Sequence, residues 1–331
     1  MIYKDVVYGD IEINEPIILE LLSSAPMERL KHITQHGATV YNKHFDKRVV
    51  SRFEHSVGVY IFLKNFGCLI EEQIAGLLHD VGHAVFSHVA DLLFPHDEHS
   101  FDDRSQDNII RDSEIPKILK KYGISLDYIL NKDNFPILEK SLPDLCADRI
   151  DYFLRDIKLI EEIDAQQYIL DMGQYQDAIV FKTPEIGLDY AKKYLHMDET
   201  FWAERFQEFL YAVLAEIIKI AIQKKVLTLK DLHTNEDDVM DILMLSENDE
   251  IVDLLEILLN SKPSDILVSN DKKKDYFIVK SKIRIVDPYI VTSKKTDNNI
   301  FRVSEIYPEF KKEMDNYRDR MSMPVWLGLK N

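Results

Sequence analysis

Apolar residues recur at helical spacing along most of the 331-residue chain, which predicts a mainly α protein. Pro16 stands where a helix can begin, and Ile17, Ile18, Leu21 and Leu22 form its apolar face. A second helix is predicted after Pro26, with Met27, Leu30 and Ile33 buried; it carries His32, Gln35 and His36 and stops at Gly37. The segment opening at Ser51 places Val59, Phe62, Leu63 and Phe66 on one stripe, with His55 close to it and pointing inward. Glu71 to Leu78 reads as a buried helix that ends in His79-Asp80, with Gly82 as a left-handed stop. Ala84 to Phe94 is predicted as a further helix, on which His88 and Asp91 share a face.

Residues 145–157 are striped twice. Ala147, Ile150, Phe153, Leu154 and Ile157 fall on one face, and Asp148, Asp151, Tyr152, Arg155 and Asp156 on another. Asp198 to Ile222 reads as one long helix, and Glu309 to Arg320 as the last. Strand signals lie at the two ends. Val6–Tyr8 and Ile11–Ile13 suggest a hairpin turned at Gly9-Asp10, and in Tyr276–Val286 the residues Phe277, Val279, Ile283 and Ile285 stand opposite Lys280, Lys282 and Arg284. The predicted organisation is a helical core over residues 1–223, followed by a smaller mixed α/β C-terminal appendage over 224–331.

Charge narrows the partners. Lys and Arg number 41 against 58 Asp and Glu, a net charge of −17 that repels a duplex nucleic-acid backbone. A small anion in a locally basic pocket stays compatible with that balance. Cys68 and Cys146, both in apolar stretches, suggest a reducing compartment. With no signal-like N-terminus and no apolar run of spanning length, the expectation is a cytoplasmic protein without a membrane partner.

Candidate chemistry gathers around His79-Asp80. Imidazole and carboxylate together suit a divalent metal, although a lone pair of this kind is more often a core histidine beside a solvated aspartate. An inward His55 needs a partner for each ring nitrogen, and a metal with a carboxylate behind it supplies both. The Asp/Tyr/Arg stripe of 148–156 is either a solvated face or the wall of a nucleotide pocket. His88 and Asp91 are either a surface pair or a proton-handling pair.

The ordered set His55, His79-Asp80, Asp148 resembles the H…HD…D pattern of the HD-domain metal-dependent phosphohydrolases. Arg52-Phe53-Glu54-His55-Ser56-Val57-Gly58-Val59, Ala75 to His88, and Asp148 to Asp156 resemble words of the deoxynucleoside triphosphate triphosphohydrolase branch, as does Glu28 to Gln35. The resemblance implies a helical HD core and a divalent ion (Mg, Mn, Fe, Ni or Zn) held by His55, His79, Asp80 and Asp148. It implies proton transfer or phosphate contact at His88, Asp91 and His99, charge neutralisation by Arg52 and Arg155, and sugar contacts at Gln35, Tyr152 and Asp156. A nucleotide substrate and a homo-oligomer are implied with them.

The chain also departs from the pattern. Asp5-Val6-Val7-Tyr8-Gly9 lacks the Pro and His of the early D-P-[VI]-H-G word, and Ser100 stands where a Glu usually follows His99. The H-R-x-x-Y segment that grips the triphosphate is missing; Thr200–Gln207 stands there, leaving Lys192, Lys193 or Arg205 as candidates for the outer phosphates. His83 in place of a Lys excludes the HD-type cyclic-dinucleotide phosphodiesterases. The expected reaction is a deoxynucleoside triphosphate split to deoxynucleoside and triphosphate. The alternatives are a nucleoside monophosphate phosphatase and a non-catalytic nucleotide-binding regulator.

Overall fold

The computed structural model describes residues 1–45, 48–93, 101–273, 276–292 and 300–330. His99 lies outside the described residues. Strands β1 (Ile2–Asp5) and β2 (Gly9–Glu12) form the N-terminal hairpin. Its turn is Val6–Tyr8 rather than Gly9-Asp10, because the Asp5 carboxylate accepts from the Val7 and Tyr8 N–H groups at 2.8 and 3.0 Å. A side-chain acceptor closing the turn outweighs the Gly-Asp signal.

Helices α1 (Pro16–Leu22) and α2 (Ala25–Leu30) follow. The predicted second helix thus ends seven residues before Gly37. Thr34 leaves it to bridge Ser51, and Gln35 and His36 sit in the turn that leads into a 3-10 helix at Gly37–Tyr41. Helix α3 (Arg52–Phe66) starts in a capping box in which Glu54 N–H donates to Ser51 Oγ at 3.1 Å and Ser51 N–H to Glu54 Oε2 at 3.0 Å. Helix α4 (Ile70–Leu78) packs on it and delivers His79 at its C-cap.

The next stretch differs most from its periodicity. Gly82 is not left-handed; Phe86 (φ 62°) and Ser87 (φ 52°) are, so helix α5 (Val89–Leu93) covers only the end of the predicted 84–94 helix. Nothing in the residue types announces two consecutive left-handed positions. Helices α6 (Phe101–Arg111), α7 (Ile115–Lys121) and α8 (Leu126–Leu130) lead to α9 (Ala147–Ile160), which packs against α3.

After α10 (Gln166–Asp171), strands β3 (Met172–Tyr175) and β4 (Ala178–Phe181) precede α11 (Pro184–Met197). A π-turn, Asp198–Trp202, separates α11 from α12 (Arg205–Gln223), so the long helix predicted from Asp198 is broken. Helix α13 (Glu236–Met244) packs on α14 (Asp249–Asn260), which packs on α12. Strands β5 (Ile266–Ser269), β6 (Phe277–Val279), β7 (Tyr289–Val291) and β8 (Ile300–Arg302) follow. Short α15 (Val303–Ile306), then α16 (Pro308–Met321) and β9 (Val325–Leu329) end the chain. One sheet runs β3-β4-β7-β8, taking strands from both sides of Gln223, and another runs β5-β9-β6. The architecture is mainly α with small sheets. No helix among the described residues is long and apolar enough to cross a membrane.

Candidate active site

Three helix ends meet over one point. The first turn of α3 supplies His55, the C-cap of α4 supplies His79 with Asp80 just beyond, and the first turn of α9 supplies Asp148. His55 Nε2 lies 3.1 Å from Asp148 Oδ1 and 3.8 Å from Asp80 Oδ2. His79 Nε2 lies 3.3 Å from Asp80 Oδ1 and 3.6 Å from Asp148 Oδ1. The donor atoms of His55, His79 and Asp80 fall within 4.8 Å of one another.

What stands behind the rings decides what they present. His79 Nδ1 is 2.7 Å from the Gly76 carbonyl, which only accepts, so Nδ1 carries the proton and Nε2 presents a lone pair. That Nε2 is buried without a hydrogen-bond partner and faces two carboxylates. A lone pair set against two anions is a mismatch that a cation resolves, so the donor set fits a divalent metal. His55 Nδ1 likewise faces Asp151 Oδ2 at 2.8 Å. Burial alone would lower the His55 pKa, but hydrogen bonds to Asp148 and Asp151 and the charge of Asp80 push it up to about 9.

The carboxylates are held ionised. Burial opposes charge on Asp80, yet Arg52, His79 and His83 outweigh it and keep the carboxyl well below its usual range. Arg52 Nη1 donates to Asp80 Oδ2 at 2.8 Å and its Nε to Ser87 Oγ at 3.0 Å, while His83 Nε2 lies 3.0 Å from Asp80 Oδ1. Asp148 is lowered in the same way, its burial outweighed by the hydrogen bond to His55 with His79 alongside.

A cavity of about 840 Å³ opens beside these groups. Gln35, Arg52, His88, Asp91, Tyr152 and Asp156 line it, which brings six of the sequence candidates to one place. Gln35 Oε1 is buried and unpartnered. His88 Nδ1 is 3.4 Å from Asp91 Oδ2. The pocket desolvates His88, and the cations Lys282, Arg52 and Arg284 act in the same direction; against Asp91 they pull it down to about 4.

Two candidates sit differently from expectation. Arg155 is 1% exposed and outside the cavity lining; its guanidinium holds Asp151 at 2.7 Å and Asp5 at 2.7 Å, so it supports the site from behind rather than meeting phosphate. Asp156 reaches the cavity but is 2% exposed, with Oδ1 2.9 Å from His36 Nε2 and Oδ2 accepting from Trp202 Nε1 at 2.8 Å.

The sequence reading also missed residues. Asp151 was visible as the second Asp of the Asp148–Asp156 word. Trp202, Tyr211, Lys282 and Arg284 line the cavity from distant segments, whereas Lys192, Lys193 and Arg205 do not.

A helical core presenting this His/Asp donor set over a cavity of nucleotide size defines a metal-dependent hydrolase of the HD type. The HD domain family matches residues 52–156. The chain is 34% identical to the uncharacterized protein YdhJ of Bacillus subtilis over 88% of its own length and 89% of that protein. It is 33% identical to the metal-dependent phosphohydrolase cns2 of Cordyceps militaris, covering 69% of each. A shorter match, 29% identical over 38% of this chain and 24% of the other, is to the deoxynucleoside triphosphate triphosphohydrolase SAMHD1 of Gallus gallus. The fold is shared along its whole length with a phosphohydrolase from Bacteroides thetaiotaomicron, with a TM-score of 0.73, 15% identity and 100% of both chains covered. The chain belongs to the HD-domain metal-dependent phosphohydrolases.

Proposed function

We propose that this hydrolase acts on nucleotides, cleaving a deoxynucleoside triphosphate to deoxynucleoside and inorganic triphosphate. The observation that carries the reading is the His79 lone pair aimed between Asp80 and Asp148, beside a cavity walled by aromatic rings. His55, His79, Asp80 and Asp148 would hold a divalent ion, which would supply Lewis acidity for activating water and polarising a phosphoryl oxygen. Arg52 keeps Asp80 ionised and turned inward. His88, held neutral, accepts a proton at its unprotonated nitrogen rather than donating one, and Asp91 orients its ring.

Tyr152 and Trp202, with ring centroids 5.1 Å apart, form the wall on which a sugar and base would rest. Tyr152 lies one turn from Asp148 on α9, so a sugar held there puts its nearest phosphate beside the metal. Cleavage at that phosphate releases the triphosphate whole. The cavity volume is within the range of small-molecule sites, about 300–1,000 Å³.

One observation favours a second reading, a nucleoside monophosphate phosphatase. Both Asp156 oxygens are already hydrogen-bonded, which weakens its expected grip on a 3′-hydroxyl and with it the preference for a deoxynucleoside triphosphate. Incubation with dNTPs and with dNMPs in Mg²⁺, Mn²⁺ and Fe²⁺, with products resolved by chromatography, separates the two. Deoxynucleoside plus triphosphate is the expected result. Orthophosphate with dNDP overturns the proposed geometry, and turnover of monophosphates alone establishes the second reading.

A further inference from the structure

The cavity wall opposite the donor set comes from far outside the matched 52–156 span. The strand expected over Tyr276–Val286 stops at Val279, and residues 280–288 form no regular element and pair with no strand among the described residues. They are fixed from behind instead. Arg205 Nη1 donates to Ser281 Oγ at 2.7 Å, and the Arg284 N–H donates to Asp198 Oδ2 at 2.7 Å. Asp287 N–H donates to the Pro143 carbonyl at 2.9 Å, and Ser304 N–H to Asp287 Oδ1 at 2.9 Å. Ile285 and Val286 are buried in the core.

Asp198 is the strongest of these anchors. It is fully buried on the π-turn between α11 and α12, and it also accepts from Tyr317 Oη at 3.0 Å. Ser281 and Ile285 are buried, Lys280 and Lys282 are exposed, and Arg284 is half-buried with Nη1 3.6 Å from Asp198 Oδ1. All three line the cavity.

Their neighbours say where along the cavity they stand. Lys282 has Asp91, Asp148, Arg149 and His88 among its neighbours. Arg284 lies among Tyr152, Asp198, Tyr194 and Tyr211. Lys282 makes no side-chain hydrogen bond or ion pair with a described residue. Partial desolvation by the surrounding side chains and the nearby Arg284 lower its pKa. A protein of net charge −17 has here crowded three cations on one pinned segment, of which only Arg284 has an ion-pair partner, Asp198, among the described residues. Such crowding is relieved when an anion occupies the space between them.

We infer that residues 280–284 are an anion-binding limb for oligophosphate, in which Lys282 and Arg284, with Lys280 beyond them, take the phosphates not under attack. The inference rests on the nucleotide reading and gives the outer phosphates their partners. Arg205 cannot fill that role, since it is committed to Glu208 and Ser281, and Lys193 is paired with Asp189. It also ranks substrates: a nucleoside di- or triphosphate gains contacts that a monophosphate lacks.

The test is calorimetric titration of the full-length, Mn²⁺-loaded protein with inorganic tripolyphosphate and with orthophosphate, for wild type and Lys282→Met. Lys282 is solvent-accessible, so the variant keeps its fold, and its metal content and melting temperature confirm that. Wild type should bind tripolyphosphate more tightly than orthophosphate. Lys282→Met should lose about ten- to a hundredfold for tripolyphosphate, the loss of one charged hydrogen bond, with a shallower salt dependence. Orthophosphate affinity and bound metal should hold. Equal tripolyphosphate affinity in the two proteins overturns the limb, whatever the enzyme hydrolyses. If the titrations come out as expected but no nucleotide is turned over, the nucleotide reading fails and the oligophosphate site stands.

Discussion

Two imidazoles in this site are committed by what lies behind them. His79 Nδ1 must donate to the Gly76 carbonyl and His55 Nδ1 to the Asp151 carboxylate, so each ring turns Nε2 towards Asp148. Asp148 is therefore the carboxylate that both rings face, and removing it opens the set on one side. Asp148→Ala should lose bound metal and activity together, as measured by elemental analysis of the purified protein and a turnover assay. Full metal occupancy in that variant would sink the ligand assignment. His88 is different, because it touches none of the four donors at bonding distance and is held neutral by its pocket. His88→Ala should keep the metal and slow turnover by about two to four orders of magnitude, the usual worth of a general acid or base. Loss of metal in this variant would make His88 a ligand instead.

At the scale of elements, the site depends on how closely α3 and α9 approach. Gly58 faces α9, and a Cβ there would lie 1.9 Å from Arg155 Nη2 and 2.1 Å from Asp151 Oδ1. Those two groups hold the His55 ring and tie α9 to Asp5 in the N-terminal hairpin. Gly58→Ala should therefore destabilise the metal-free protein by about 1–3 kcal/mol in urea unfolding, the usual range for overpacking, and weaken metal binding through His55. Unchanged stability with unchanged metal affinity would show that the helices can part without cost.

This closeness is why the donor set was readable along the chain. Each of His55, His79-Asp80 and Asp148 sits at a helix end, inside a short word whose periodicity puts it on the inner face. The rest was hidden for physical reasons. Phe86 and Ser87 are left-handed because Glu236 accepts from the Phe86 N–H at 2.7 Å and Ser87 Oγ bonds to the Thr34 carbonyl at 2.5 Å, contacts that no local pattern announces. Lys282 and Arg284 alternate with apolar residues in the sequence, but only the fold brings them to the cavity. Arg155 lay on the polar stripe with Tyr152, and burial against Asp5 could not be told from exposure to phosphate by spacing alone.

At the scale of the whole molecule, Glu236 ties the segments that carry the site to the C-terminal half. It is 1% exposed, and it accepts from the Thr34 N–H at 2.9 Å, the Phe86 N–H at 2.7 Å and the Tyr41 hydroxyl at 2.9 Å. Burial disfavours its charge more than these donors favour it, so its pKa rises from 4.5 to about 7. The folded protein then holds this proton more tightly than the unfolded chain does. The stability it contributes is full below pH 4.5, falls as pH rises, and is gone above about 7. Over that window the loss is on the order of 3 kcal/mol. The carboxylates of Asp80, Asp148 and Asp151 pull the other way, since their lowered pKa values make stability fall towards acid. The cleanest measurement is therefore a difference. Glu236→Gln keeps an oxygen for Thr34 and Phe86 and removes the titration. Urea midpoints of the metal-free proteins at pH 5 and pH 8 should show the variant gaining on wild type as pH rises. A difference independent of pH would mean that Glu236 is ionised throughout, with Thr34, Phe86 and Tyr41 holding its charge against burial.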